Sequence, residues 1–416
     1  MNACWIALAL LAAPDGSGSA PAGSQPPAQS DEDRKRLEEE IRKELGAQPQ
    51  APAAQPSAGG AAPAQPAAPA PTSQQGLQGQ SGGNPFARLL LLPDISAIGT
   101  GSLAWNHLDV GTLSPRGDPF APAHTLQPIF QELELGVQAV VDPYARADVF
   151  ISFGDTGVEI EEAYLTTLSL PYALQIRAGK FFAPIGRINQ QHGHVWDFAD
   201  RPLALARLLG VDALKGPGAE LTWLAPVPWF AELDLSYQSA PPSFESPSRN
   251  GGYARLIQFF DLGKATALGV GVSGGLLQEH GDTWRQLAGL DVFLKIRPPQ
   301  GRSYVALQGE VVLRHLDAAP ADAQGPFEDA GTLWGGYAQA VYRDGPYWAY
   351  GARYERAPAL AGGAEHRVSA LLGWLPSEFQ HIRLQVSYDV LPGGSSGLEA
   401  ILQAEFAIGA HGAHPF

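Results

Sequence analysis

The sequence predicts an all-β protein: a sixteen-stranded antiparallel β-barrel that spans a membrane, preceded by a short helix and a disordered linker. Two observations carry this fold class. Segments of about ten residues, the length of a tilted membrane-spanning strand, alternate apolar and polar residues. The connections between these segments are alternately tight and long. Ten residues at ~3.3 Å each, tilted by ~45°, reach roughly 23 Å, which matches the apolar band of such a barrel.

The alternation is clearest between residues 130 and 184. Leu133, Leu135 and Val137 share one face of the first strand there, and Glu132 and Glu134 occupy the other. The polar face carries charges of both signs, and the sequence offers no helix to cover the apolar face. We therefore expect the apolar face to meet lipid and the charged face to line a water-filled lumen. The alternation slips at residues 159–162, which predicts a β-bulge.

Sixteen strand candidates run from Asp94–His107 to Glu399–Gly409. An even number of strands places both ends of the barrel on the rim that carries the short turns. Aromatic residues crowd near these turns and predict an interfacial girdle; they include Trp223, Trp229, Tyr347, Trp348, Tyr350 and Trp374.

Composition excludes several other classes. After the first dozen residues no uncharged apolar run is long enough for a transmembrane helix. The net charge is −15 and no basic stripe exists, so nucleic acid is not an expected partner. The one cysteine, Cys4, falls in the predicted leader, which suits an oxidising compartment. A soluble β-sandwich stays open as an alternative; it would bury the apolar stripes against each other.

The predicted organisation has four parts. Residues 1–20 read as a signal peptide, although no Lys or Arg precedes the apolar core. Residues 21–46 hold a short periplasmic helix over 30–45, which can associate with itself, bind a periplasmic partner or stay solvated. Residues 47–85 form an uncharged Ala/Pro/Gln-rich disordered linker. Residues 86–416 form the barrel. The last residue is Phe416, and a C-terminal phenylalanine is common in barrels inserted by the outer-membrane assembly machinery.

Residues 184–218 form the longest connection in the barrel. Four leucines after Pro202 predict a short helix, and a loop of this length is usually functional. We expect it to fold into the lumen and narrow it, with a cap outside the barrel as the alternative. The expected pore-lining residues are Glu132, Glu134, Arg146, Asp148, Arg177 and Lys180 on the wall, and Arg187, His192, His194, Asp197, Asp200, Arg201 and Arg207 on the loop.

The wall charges have a second interpretation, as cross-strand ion pairs that stiffen the barrel. Glu132 and Glu134 beside Arg146 are one expected pair. His192-x-His194 with Asp197 nearby is a weak candidate for Zn²⁺ or Cu²⁺, so no metal site is assigned. No H-E-x-x-H or P-loop motif occurs, and the G-x-S-x-G matches at 79–83 and 271–275 lie in the linker and within a strand candidate rather than at a nucleophile elbow. We therefore expect no catalytic residues, no cofactor and no enzyme activity.

Three motifs resemble the phosphate-selective porin family: EEAYL at 161–165, RAGKF at 177–181 and PIGRIN at 184–189. The resemblance is sharp over residues 130–218 and architectural beyond. It implies a sixteen-stranded, trimeric porin with the third long loop inside the pore. We expect the barrel in the outer membrane of a Gram-negative bacterium, in contact with lipid and lipopolysaccharide, and the N-terminal arm on the periplasmic side, where the short turns lie.

The function expected from these observations is passive diffusion of small hydrophilic solutes or ions through a water-filled channel. Two alternatives stay open. One is a plugged barrel that acts as a membrane anchor or a barrel enzyme. The other is a metal-ion channel that takes up Zn²⁺.

Overall fold

The computed structural model describes residues 93–108, 116, 119–155, 157–240, 249–279, 283–298, 302–319, 327 and 329–409. The predicted signal peptide, helix 30–45, linker 47–85 and terminal Phe416 lie outside these residues. Among the residues described, no helix is both long and apolar enough to cross a membrane.

Sixteen antiparallel strands close into one barrel, in which each strand pairs with its sequence neighbours and β1 pairs with β16. The strands are β1 Asp94–Asn106, β2 Leu126–Asp142, β3 Ala145–Gly154, β4 Gly157–Thr167, β5 Leu174–Phe182, β6 Lys215–Leu224, β7 Phe230–Ala240, β8 Arg249–Asp261, β9 Thr266–Gln278, β10 Trp284–Ile296, β11 Tyr304–Leu316, β12 Gly331–Asp344, β13 Trp348–Pro358, β14 Ala364–Ser377, β15 Gln380–Val390 and β16 Ser396–Gly409. The predicted fold class is confirmed.

Most strand boundaries agree with the sequence prediction within a few residues, and β5 and β9 agree at both ends. The largest difference is β2, which begins at Leu126 rather than at the expected Gln131. Thr100 pairs with Glu132 and Gly101 pairs with Phe130, so Gln131 is a bulge. The alternation changes phase there, which is why the pattern indicated a strand start at that point. The bulge predicted at 159–162 is confirmed, because Phe150 pairs with Glu162 and Ile151 pairs with Ile160.

The outer face of the barrel is apolar. Val272, Leu290, Val368 and many similar side chains stay exposed along the strands. The expected aromatic residues lie at the short-turn rim, where Trp348 stacks on Trp374 with ring centroids 6.3 Å apart. The expected apolar faces therefore point outward rather than into a shared interior.

The main buried apolar cluster lies inside the barrel, between its wall and residues 183–214, here called the third loop. This loop contains two 3₁₀ turns, Ile188–Gln190 and Gly193–Val195, and the helix α1, Leu203–Leu209. The expected helix and the inward folding of the loop are both confirmed, and the outside cap is excluded.

Candidate constriction inside the barrel

The third loop is fixed where it enters the lumen. The backbone N–H groups of Arg187 and Ile188 donate to the Glu310 carboxylate on β11, at 3.0 and 2.9 Å. The N–H of Gly186 donates to Ser273 Oγ at 3.1 Å. Gly186 has φ +65°, and a Cβ there would lie 2.4 Å from Glu310 Oε2. Only glycine combines this backbone conformation with so close an approach.

Asn189 closes the base of the loop. Its Nδ2 donates to the carbonyl oxygens of Ala183 and Leu214, at 3.0 and 2.9 Å. Its Oδ1 accepts from Leu214 N and from Arg201, each at 2.9 Å. Burial lowers the pKa of the Arg201 guanidinium to about 10. One fully buried amide thus joins both ends of the loop to its middle.

Apolar side chains hold the loop against the wall. Members of the cluster from the loop are Ala183, Ile185, Ile188, Leu205, Leu208, Leu209 and Leu214, and those from the wall are Tyr253, Leu277, Leu287, Val312 and Tyr337. Such burial favours one fixed loop position by roughly 1.5–3 kcal/mol for each large side chain. The apolar wall members were not expected from the sequence. Leu277 and Val312 carry a signal, because each follows another apolar residue, Leu276 and Val311, and both faces of the strand are then covered.

Charged side chains tie α1 and the residues before it to β13 and β14. Asp200 accepts hydrogen bonds from Arg353 and, at 2.6 Å, from Arg367. Leu203 N donates to Glu355 Oε2 at 2.6 Å, so a strand carboxylate satisfies the first turn of α1. Arg207 pairs with Glu365 at 2.6 Å. These buried charges compensate one another and are not available to a solute.

Arg116, from the connection between β1 and β2, extends this network. It lies 2.9 Å from Glu365, 3.2 Å from Asp389 and 3.4 Å from Glu399. Arg367 also donates to Asp389 and Glu399, at 2.8 and 2.9 Å. Two loops and four strands, β13 to β16, therefore share one network of arginines and carboxylates.

His192 and His194 lie against β2 and β4. His192 Nδ1 lies 2.8 Å from Glu134 Oε2 and 2.9 Å from Glu161 Oε2, and its Nε2 lies 3.0 Å from Glu162 Oε2. His194 Nδ1 lies 3.5 Å from Glu134 Oε2. Glu134 and both histidines were expected in the lumen. Glu161 and Glu162 were not, because the bulge at Glu161 redirects that part of β4.

Asp197 does not join the histidines, contrary to the expectation for a His-His-Asp set. It accepts from Gln339 on β12 at 3.4 Å and lies among cations. Burial raises the pKa of Asp197, and Arg343, Arg383, Arg187 and Lys295 lower it, with burial the larger influence. Asp197 is thus an acid within a basic part of the lumen.

The half of the lumen towards the short turns keeps charged side chains that are partly exposed. Lys295 lies over the Tyr304 ring at 4.5 Å, and Arg343 Nε donates to Tyr304 Oη at 3.4 Å. Arg187 lies over the Phe293 ring at 4.3 Å. Glu132 on β2 and Glu232 and Asp234 on β7 lie in other parts of the lumen. The partly exposed cations on β10 and β12 are therefore separated from these carboxylates, whereas other acids, such as Glu220, pair with arginines.

The remaining expected wall residues form local pairs. Arg146 binds Asp148 on its own strand at 2.6 Å and keeps 46% of its side chain exposed. Glu132 instead accepts from Ser152 at 2.9 Å, so the expected pairing of Glu132 and Glu134 with Arg146 is wrong. The register explains this, because Arg146 pairs with Val140 and lies several residues away from both glutamates.

Arg177 pairs with Glu220 at 2.7 Å. Lys180 reaches the edge of β4, where its Nζ lies 3.1 Å from Glu159 and donates to the Ile160 carbonyl. Lys180 therefore bridges two strands of the wall.

A closed sixteen-stranded barrel with an apolar outer face and a loop folded across a charged lumen has the fold of the outer-membrane porins. Two solved structures show this fold at low sequence identity. The anion-selective porin from Comamonas acidovorans has TM-score 0.51 and 9% identity, over 76% of this chain and 99% of that one. OmpF of Salmonella typhi, in complex with daunomycin, has TM-score 0.50 and 11% identity, over 76% and 97%.

No family model matches the sequence. An uncharacterized protein of Aquifex aeolicus is 30% identical over 329 residues, which cover 68% of this chain and 69% of that protein. The chain belongs to the same family as this Aquifex protein.

Proposed function

We propose that the protein is an outer-membrane porin, a passive channel for small hydrophilic solutes and ions whose selectivity is set at the third loop. The observation that carries this proposal is the difference between the two faces of the barrel wall, an apolar outer face and a charged inner face. The outer face is a continuous apolar surface suited to lipid, and the inner face keeps Lys295, Arg343, Glu132 and Glu232 partly exposed. Charged side chains that line a wet passage determine which ions enter it.

The cations on β10 and β12 favour an anion path. Lys295 lies over the Tyr304 ring and Arg343 donates to Tyr304 Oη, contacts that hold both side chains in place while they stay partly exposed. This arrangement supports an anion preference as part of the proposal. Phosphate itself, a homotrimeric assembly, surrounding lipopolysaccharide and a periplasmic N-terminal arm are further parts of the proposal.

Single-channel recording in planar bilayers tests the proposal. We expect stepwise conductance from the purified, folded protein, and a reversal potential in a KCl gradient that reports anion preference. A correctly folded protein that never produces conductance steps would rule out the channel. A cation preference would remove the anion path but keep the channel.

A plugged barrel is the second candidate, because the third loop forms hydrogen bonds with β9, β11, β13, β14, β15 and β16. Such a barrel would conduct only after the loop is shortened. Replacing residues 191–209 by a short Gly-Ser segment separates the two candidates. If the natural protein is silent and the shortened one conducts, the barrel is plugged. If both conduct, it is a channel.

A further inference from the structure

The histidine cluster combines donors from three parts of the fold. Glu134 comes from β2, Glu161 from β4, and His192 and His194 from the third loop. Glu134, His192 and His194 are buried, and Glu161 is half-buried. One ligand atom each from Glu134, Glu161 and His192 falls within 4.8 Å of the others.

The spacing of these atoms fits a tetrahedral metal ion. Zn²⁺ binds nitrogen and oxygen at about 2.0–2.1 Å, so neighbouring ligands of a tetrahedral site lie about 3.3 Å apart. His192 Nδ1 lies 2.8 Å from Glu134 Oε2 and 2.9 Å from Glu161 Oε2. Shifts of a few tenths of an ångström would open the Nδ1–Oε2 distances of His192 around one ion. His194 Nδ1 lies 3.5 Å from Glu134 Oε2 but outside this set of three ligand atoms.

The ring nitrogen of His192 that would face away from the ion, Nε2, has the kind of partner that metal-binding histidines have. Its Nε2 lies 3.0 Å from Glu162 Oε2, so an Nε2–H donated there directs Nδ1 towards Glu134 and Glu161. A carboxylate behind the imidazole fixes its tautomer and orientation in many metal sites. The rings of Phe150 and Phe182 pack against His192, with centroids 4.8 and 5.2 Å away. These rings hold the imidazole in place.

The charges around the cluster also favour a cation. Four carboxylates converge here, because Glu132 lies close enough to Glu134 and Glu161 to interact electrostatically with both. The nearest lysine, Lys215, lies 3.7 Å from Glu161 and is shared with Glu159 at 3.0 Å. Buried carboxylates require compensation by cations or metal ions. A divalent ion would supply it at the point where the four carboxylates meet.

We propose that Glu134, Glu161 and His192 form a three-ligand binding site for a divalent transition-metal ion of the Zn²⁺ type, with the fourth position left to water. On binding, the Nδ1–H bond of His192 is broken, its proton goes to solvent, and the Nδ1 lone pair coordinates the ion. The ion would join the third loop to β2 and β4, and so fix one side of the constriction. The site is distinct from the His-His-Asp set that the sequence indicated, because Asp197 lies among the cations on β10, β12 and β15.

Zn²⁺ titration of the full-length, folded protein in detergent, after EDTA treatment and dialysis, tests the site. We expect one Zn²⁺ per chain by calorimetry, and Co²⁺ should give the visible absorption of tetrahedral coordination. Glu161→Gln should weaken binding at least tenfold, and His192→Gln should abolish it. Glu162→Gln should weaken binding by about 10–100-fold without changing the stoichiometry.

His315→Gln is the matched control, because His315 lies on β11 and contacts Thr332 and Asp317 outside the cluster. It should bind Zn²⁺ like the natural protein. Heat-modifiable gel mobility would show that each variant is folded. Absence of stoichiometric Zn²⁺ binding, or equal binding by the natural protein and folded Glu161→Gln, would overturn the site. Binding is measured without a bilayer, so its outcome is independent of the conductance experiment.

Discussion

Arg367 Nη1 on β14 lies 2.6 Å from Oδ2 of Asp200, so a buried ion pair joins the third loop to the opposite wall of the barrel. Arg353 and Gln385 bind the same carboxylate. The loop is therefore held by charge on this side and by apolar packing on β8 to β12.

Asp200→Asn should release this side of the loop. Removal of one partner leaves buried arginines without their counter-charge, which typically costs about 3–5 kcal/mol. We expect a lower unfolding temperature in detergent and faster proteolysis within residues 183–214. Asp317→Asn is the control: its side chain is 46% exposed, so its effect should stay within about 0.5 kcal/mol. Equal stability of the two variants would contradict this role of Asp200.

Gly186→Ala should disturb the other anchor of the loop. The new Cβ would meet Glu310 Oε2, a carboxylate held by two backbone N–H groups and by Tyr337 Oη at 2.6 Å. A left-handed backbone and this close approach together should cost about 1–3 kcal/mol. Chemical unfolding followed by tryptophan fluorescence measures this loss. Gly252→Ala, where a Cβ meets nothing within 4 Å, should be close to neutral, and an equal loss there would argue against the steric explanation.

The double variant Lys295→Ala, Arg343→Ala should shift ion selectivity towards cations. Both charges lie in the open half of the lumen, where they attract anions. We expect the reversal potential in a KCl gradient to move by a clear margin, and more at low than at high salt because of screening. Lys264→Ala changes an exposed residue in the short turn after β8 and should leave the reversal potential unchanged. Selectivity that is equal in all three proteins would show that these cations do not line the ion path.

Acidification should increase anion preference through Asp197. Burial raises the pKa of this carboxyl above its usual value, so it takes up a proton at a higher pH than an ordinary aspartate. The negative charge among the cations is present at neutral pH and is lost as the pH falls through the raised pKa. Asp197→Asn should therefore show the greater anion preference already at neutral pH and change less on acidification. A variant with the pH profile of the natural protein would exclude Asp197 as the titrating group.

Alternation along the chain was sufficient to predict the barrel, because each strand responds to lipid on one side and water on the other. Even the bulge at Glu161 appeared as a break in the period-two pattern. The position of the third loop followed from its length and its leucines. Strand alternation, the bulge and the length of the loop each depend on residues that are close together in the sequence, so they can be predicted from the sequence alone.

The contacts within the lumen could not be predicted in the same way. Arg187 and Glu310 are 123 positions apart, and Asp200 and Arg367 are 167 apart. The sequence shows each charge but not which strand the loop will meet. For this reason Asp197 was expected beside His192, whereas Glu134 and Glu161 hold that place. The cluster depends on the register of β2 and β4 and on the path of the loop together.

The seam between β4 and β5 has four registered pairs, from Ala163 with Lys180 to Thr166 with Arg177, whereas every other seam has seven or more. Side chains replace the missing ladder bonds: Phe182 N donates to Glu162 and Lys180 donates to the Ile160 carbonyl. A β-barrel is expected to open first between the two neighbouring strands that share the fewest backbone hydrogen bonds. Amide hydrogen exchange should therefore begin along this line, and force applied to the barrel should separate β4 from β5 before any other neighbours.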